Sequence, residues 1–189
     1  IKDLAVDTYG LETSDLIFDA LTFPLSTGDD DLRRDAMETM DAIRRIKAEI
    51  PGAFTTLGVS NVSFGLAPAA RHVLNSVFIH ECVEAGLDSA IVHASKILPL
   101  SRIPDEQRDV VLDLIYDRRG TAGLLSDGDE KYDPLQKLLA VFADVKVQTK
   151  EKEDRSGWPV GQRLHHRIID GERDGLPADL DQALAEGIP

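Results

Sequence analysis

The chain has 189 residues, 42% of them hydrophobic and 29% charged, enough for one globular domain and part of a second. A formal net charge of −13 argues against phosphate-backbone binding and against docking on an anionic membrane, both of which need concentrated Lys and Arg. The single cysteine, Cys82, excludes an internal disulfide and, with no 18-residue apolar run or signal-type N-terminus, fits a reducing, cytoplasmic setting.

Residues 1–9 read as the end of a helix, and the chain opens on Ile1 rather than Met. Asp15–Phe23 is a short apolar run with an embedded aspartate, Asp19, which reads as a buried strand. Residues 29–50 carry Leu32, Ala36, Met40, Ile43, Ile46 and Ile50 at spacings of three and four, the stripe of an amphipathic helix. Its acidic start (Asp29, Asp30, Asp31) and basic end (Arg44, Arg45, Lys47) match the helix dipole, and Pro51-Gly52 stops it. Phe54–Phe64 reads as a second strand, Pro68–Ala85 as a second helix closed by Gly86, and Ser89–Ala94 as a third strand. Pro104–Arg119 reads as a third helix, ahead of a polar loop over 121–133. Strands separated by helices of this length imply βα units and a parallel sheet.

Pro134–Ala143 has the spacing of a short helix. The charged stretch 144–157 reads as an exposed linker and a domain boundary. Two further helices are expected near 158–172 and 178–186. The chain ends within a helical pattern at Gly187-Ile188-Pro189, so a piece of a longer polypeptide is expected, with domains at 1–143 and 158–189.

The run Leu57-Gly58-Val59-Ser60-Asn61-Val62-Ser63-Phe64 places three small polar residues at the carboxyl end of a strand. Substrates bind there in α/β proteins. Asn61 offers a donor and an acceptor and so can read a heterocycle edge. The same run also suits an ordinary strand-to-loop transition. It is not a nucleophile elbow, because Val62 stands where that motif needs Gly. Burying Asp19 without a partner is costly. It either pairs with backbone or Arg, or accepts hydrogen bonds from an amidine-like ligand edge. His93, ending the third strand, falls at the same level as Asp19 and Asn61. His80 and Glu84 are one turn apart, a spacing better explained by a surface pair than by a metal. Neither a zinc spacing nor a glycine-rich phosphate loop is present.

Leu16-Ile17-Phe18-Asp19, Gly58–Phe64, Ser76-Val77-Phe78, Glu84–Asp88 and Ala90-Ile91-Val92 together resemble the cobalamin-dependent methionine synthase family. Trp158–Leu184 is similar to the entry helices of that family's cap domain. The resemblance implies an α/β fold: the C-terminal part of a pterin-binding (β/α)₈ TIM barrel, followed by a short all-α fragment of the helical cobalamin cap. It implies methyl transfer from 5-methyltetrahydrofolate through cobalamin to homocysteine. Asp19 would bind the amino-pyrimidine edge of the pterin. Asn61 would hydrogen-bond near N5 of the folate. Ser60 and Ser63 would support the loop, Arg71 would approach the glutamate tail, and His93 would line the pocket where the family commonly has Asn or Asp.

The implied partners are methyltetrahydrofolate and the other domains of a parent chain, with no nucleic acid and no membrane. The family's zinc-thiolate homocysteine site and its Asp-x-His-x-x-Gly cobalamin motif are absent from this sequence, so zinc and cobalamin would be held elsewhere. The alternatives are a folate–corrinoid methyltransferase without a homocysteine domain, and a non-catalytic half-barrel that self-associates through open sheet edges.

Overall fold

The computed structural model describes residues 1–145, 154–170 and 172–188. The chain divides into two compact units, Ile1–Val147 and Gln148–Pro189. The linker expected at 144–157 lies mostly outside the described residues.

The first unit is mixed α/β. Strand β1 (Ile17–Asp19) pairs in parallel with β2 (Phe54–Thr56), with Ile17 opposite Phe54 and Asp19 opposite Thr56. Helix α1 (Asp35–Glu49) joins them. Helix α2 (Pro68–Glu84) follows β2 and starts with proline in its first turn, where the missing N–H costs nothing. Next come α3 (Asp105–Ile115) and α4 (Pro134–Phe142), the latter capped by the Asp133 carboxylate on the Gln136 N–H at 2.9 Å.

The strands are shorter than the apolar runs suggest. The third strand survives as one parallel bridge, Gly58 to Ile91, with Ser89 and Ile91 N–H groups donating to Thr55 and Leu57 carbonyls. The end of the second run winds instead into a 3₁₀ turn, Val59–Ser63. The predicted first helix is shorter too: a separate 3₁₀ turn, Asp30–Leu32, precedes α1. The N-terminal helical segment is a π-helical turn over Asp3–Thr8.

The core lies between one face of the sheet and the helices. Leu57, Met40, Ile43, Leu74, Val77, Phe78, Val110, Val111 and Ile115 are fully buried there. A polar clamp fixes the third extended segment. Lys47 donates to both Asp88 carboxylate oxygens at 2.9 and 3.0 Å, and Thr55 gives Asp88 its N–H (2.8 Å) and hydroxyl (3.0 Å). The Lys47 hydrogen bond, reinforced by those from Thr55, holds the Asp88 carboxyl below the usual range. The loop after α3 is tied down by buried Asp113, which accepts from the Leu124 and Leu125 N–H groups and the Tyr132 hydroxyl.

The second unit contains α5 (Val160–Asp170) and α6 (Leu176–Ala185). Arg163 and Arg167 both bind the buried Asp179 carboxylate, at 2.9 and 2.5 Å. Those two hydrogen bonds lower its pKa. Among the described residues, no helix is long and apolar enough to cross a membrane.

Candidate functional site

The carboxyl ends of β1 and β2 point the same way, because the strands are parallel and in register. Asp19 closes β1 there. It is exposed rather than buried: in a strand of period two it shares the face of Ile17, opposite Phe18. Its carboxylate accepts the Leu21 N–H at 2.9 Å, and Leu21 holds a positive φ of 57°. A branched residue in that region is strained, and such strain gathers where a loop is shaped for a ligand.

Asn61 lies in the 3₁₀ turn that follows β2, with its side chain exposed. Its N–H donates to the Gly58 carbonyl at 3.2 Å, and its carbonyl accepts from Phe64 at 3.1 Å. The amide is close over Gly58: a Cβ there would come within 3.3 Å of Asn61 Nδ2. Glycine therefore gives the amide its room.

Arg71, on the first turns of α2, clasps this turn from behind. Its Nε donates to Ser63 Oγ at 3.1 Å and its terminal nitrogen to the Ser60 carbonyl at 3.2 Å. Ser63 is buried and passes its own hydroxyl proton to the Ser60 carbonyl at 3.2 Å. Two of the predicted serines and the predicted arginine thus form one hydrogen-bonded unit beneath Asn61. From the other side, Ser26 donates to the Phe64 carbonyl.

A cavity of about 340 Å³ opens beside the clasp, lined by Ser60, Arg71 and His93 together with His72, Asn75 and Lys96. Asp19, Asn61 and Ser63 do not line it. His93 is exposed, with its Nδ1 3.1 Å from Ser95 Oγ. Burial, then the charges of Lys96, Arg71 and His93, push the His72 imidazole below its ordinary value.

The sequence reading does not single out His72, Asn75 or Lys96. The signal for two of them was present: Arg71, His72 and Asn75 fall at i, i+1 and i+4 after Pro68-Ala69-Ala70, a polar patch on an otherwise apolar helix. The Cys82 thiol is buried and pushed up to about 12, first by desolvation, which makes it a packing residue. Among the described residues, no group of three or more His, Cys, Asp or Glu is placed to hold a metal ion.

Residues 2–93 match the pterin binding enzyme family. Over 185 residues, 96% of the chain, the sequence is 55% identical to the methionine synthase of Mycobacterium tuberculosis (strain ATCC 25618 / H37Rv). Over an alignment of 193 residues covering 100% of the chain, it is 53% identical to the methionine synthase of Mycobacterium leprae (strain TN). The chain spans 15% of the length of each of these curated relatives.

Proposed function

From the match of residues 2–93 to the pterin binding enzyme family and the similarity to methionine synthases along nearly all of its length, we propose that this chain is part of a methyltransferase that takes the methyl group of 5-methyltetrahydrofolate. The first unit is the last portion of a (β/α)₈ barrel, and the second is the start of a helical cap. The parent reaction passes the methyl group through cobalamin to homocysteine.

The observation that carries this reading is Asn61. It is an exposed amide at the carboxyl end of a parallel sheet, on a turn clasped by Arg71 to Ser60 and Ser63. Breaking the N5–methyl bond leaves an amine nitrogen that is a poor leaving group unless it gains proton character. An amide that both donates and accepts holds N5 in either protonation state without bringing a charge of its own. The exposed Asp19 carboxylate accepts from the amino-pyrimidine edge, a charge-assisted pairing. Ser60 and Ser63 hold the turn. Arg71 spends two of its donors on that turn, and both Arg71 and His93 face the neighbouring cavity.

The residues present do not fit cobalamin or zinc. The chain lacks the Asp-x-His-x-x-Gly motif and has one cysteine, so the corrinoid and the homocysteine zinc belong to other domains of the parent. The remaining barrel strands would cover Ile17, Phe54 and Ile91, which are 63%, 43% and 70% exposed. Without that cover, the 189-residue chain binds folate weakly and self-associates through this face.

Titration of the full-length gene product with 5-methyltetrahydrofolate tests the reading. The wild type binds, and Asp19→Ala weakens binding about 10- to 100-fold, the worth of a hydrogen bond to a charged group. A wild type that does not bind, or an Asp19→Ala variant that binds equally well, overturns it.

A further inference from the structure

The loop after β1 bears two costs that a turn shaped only for stability would avoid. Leu21 holds a φ of 57°, a region where its side chain crowds the backbone. Its neighbour Thr22 is 5% exposed, and the buried Thr22 hydroxyl has no hydrogen-bond partner among the described residues. Buried polar groups ordinarily find a partner. Both costs fall just after Asp19, the exposed carboxylate that closes β1.

Helix α1 holds the loop in this form. Thr39 is buried and donates its hydroxyl to the Leu21 carbonyl at 2.9 Å. Asp35 accepts the Phe23 N–H at 2.6 Å. The two stand at i and i+4 in α1, so one face of the helix grips the peptide groups on either side of Thr22. The gripped turn in its wake holds Asp19: the Leu21 N–H donates back to Asp19 Oδ1 at 2.9 Å, a side-chain turn of the Asx type. Among the described residues, Asp19 Oδ2 accepts from nothing. One oxygen is thus tied down and the other is presented. Without the grip, the left-handed residue relaxes, the turn loosens and the carboxylate is free to change rotamer.

We propose that Thr39 and Asp35 are positioning residues: acting through the strained Leu21 turn, they fix the Asp19 carboxylate in the orientation that receives the amino-pyrimidine edge of the pterin. Their role rests on the pterin reading above, which supplies the ligand that Asp19 receives. A carboxylate already held by a hydrogen bond gives up less rotamer freedom when the ligand arrives. Thr39, only 3% exposed, acts from beneath the loop rather than on the ligand. The strain at Leu21 is then the cost of a preorganised acceptor.

Binding of 5-methyltetrahydrofolate to the full-length gene product tests this in two backgrounds, wild type and Asp19→Ala. Thr39→Val keeps the side-chain shape and removes the hydroxyl. In the wild-type background it should weaken binding about three- to tenfold, the worth of one hydrogen bond. Thr39→Ser, which keeps the hydroxyl, should bind as the wild type does. In the Asp19→Ala background Thr39→Val should cost nothing further, because residues that act through one another are not additive. Asp35→Ala should show the same pattern, and it decides the matter if Thr39→Val does not fold. Equal losses in the two backgrounds, or a variant with unchanged affinity, overturn the positioning role while leaving the pterin site standing. A wild type that does not bind, or an Asp19→Ala variant that binds equally well, overturns both.

Discussion

The two faces of the small sheet differ sharply in cover. On one, Thr55 and Leu57 are completely buried, and Leu57 joins a core built with residues of α1 and α2. On the other, Ile17, Phe54 and Ile91 are large, apolar and exposed, and Asp19 stands among them. Alternation along a strand puts Phe54, Thr56 and Gly58 on the second face, and the register sets Ile17 and Asp19 beside them. The covered face is written for stability. The open face combines apolar cover for a neighbour with polar groups at its carboxyl end, the pattern expected of a barrel interior that meets substrate.

Substitutions should separate the two faces cleanly. The largest effect is expected on the covered side, where Phe78 is fully buried. Phe78→Ala should cost about 3–5 kcal/mol in chemical denaturation of the chain, through lost transfer energy and a residual cavity. A smaller loss follows from Thr55→Val, which keeps the volume but removes the hydroxyl that both donates to Asp88 Oδ2 and accepts the Asp88 N–H. About 1–2 kcal/mol is expected, read as a lower denaturation midpoint at unchanged slope. Least of all should come from Ile17→Ser, on the open face. The isolated chain should change by no more than about 0.5 kcal/mol, whereas the full-length protein should lose distinctly more. Equal losses in the two settings would mean that nothing covers Ile17 in the parent.

Much of this was legible in the sequence because it depends on period and spacing. The helices announced themselves through three- and four-residue apolar steps, and parallel pairing followed from their alternation with strands. Asn61, Ser60 and Ser63 stood out because substrates bind at the carboxyl ends of strands in α/β proteins, although the same run also suits an ordinary strand-to-loop transition. Strand length was not legible. An apolar run marks residues that will be covered without saying whether a strand or a turn carries them, and Val59–Ser63 wound into a 3₁₀ turn while keeping Val59 and Val62 buried. Asp19 was misjudged for a related reason. Its apolar neighbours implied burial, but in this chain the face they share is open. The Asn75 acceptor was invisible for a different reason. A polar residue in a helix interior reads as a satisfied core group, and only the fold shows that this oxygen has no donor among the described residues.

The central claim is that Asn61 acts on N5 as the methyl group leaves rather than merely holding the folate. Single-turnover methyl transfer from 5-methyltetrahydrofolate, measured beside folate affinity in the full-length Asn61→Ala variant, tests it most directly. The account predicts that transfer slows on the order of 100-fold, as for loss of one preorganised hydrogen bond at a reacting atom, with a much smaller change in Kd. Equal transfer rates in variant and wild type would contradict it and remove Asn61 from the chemistry.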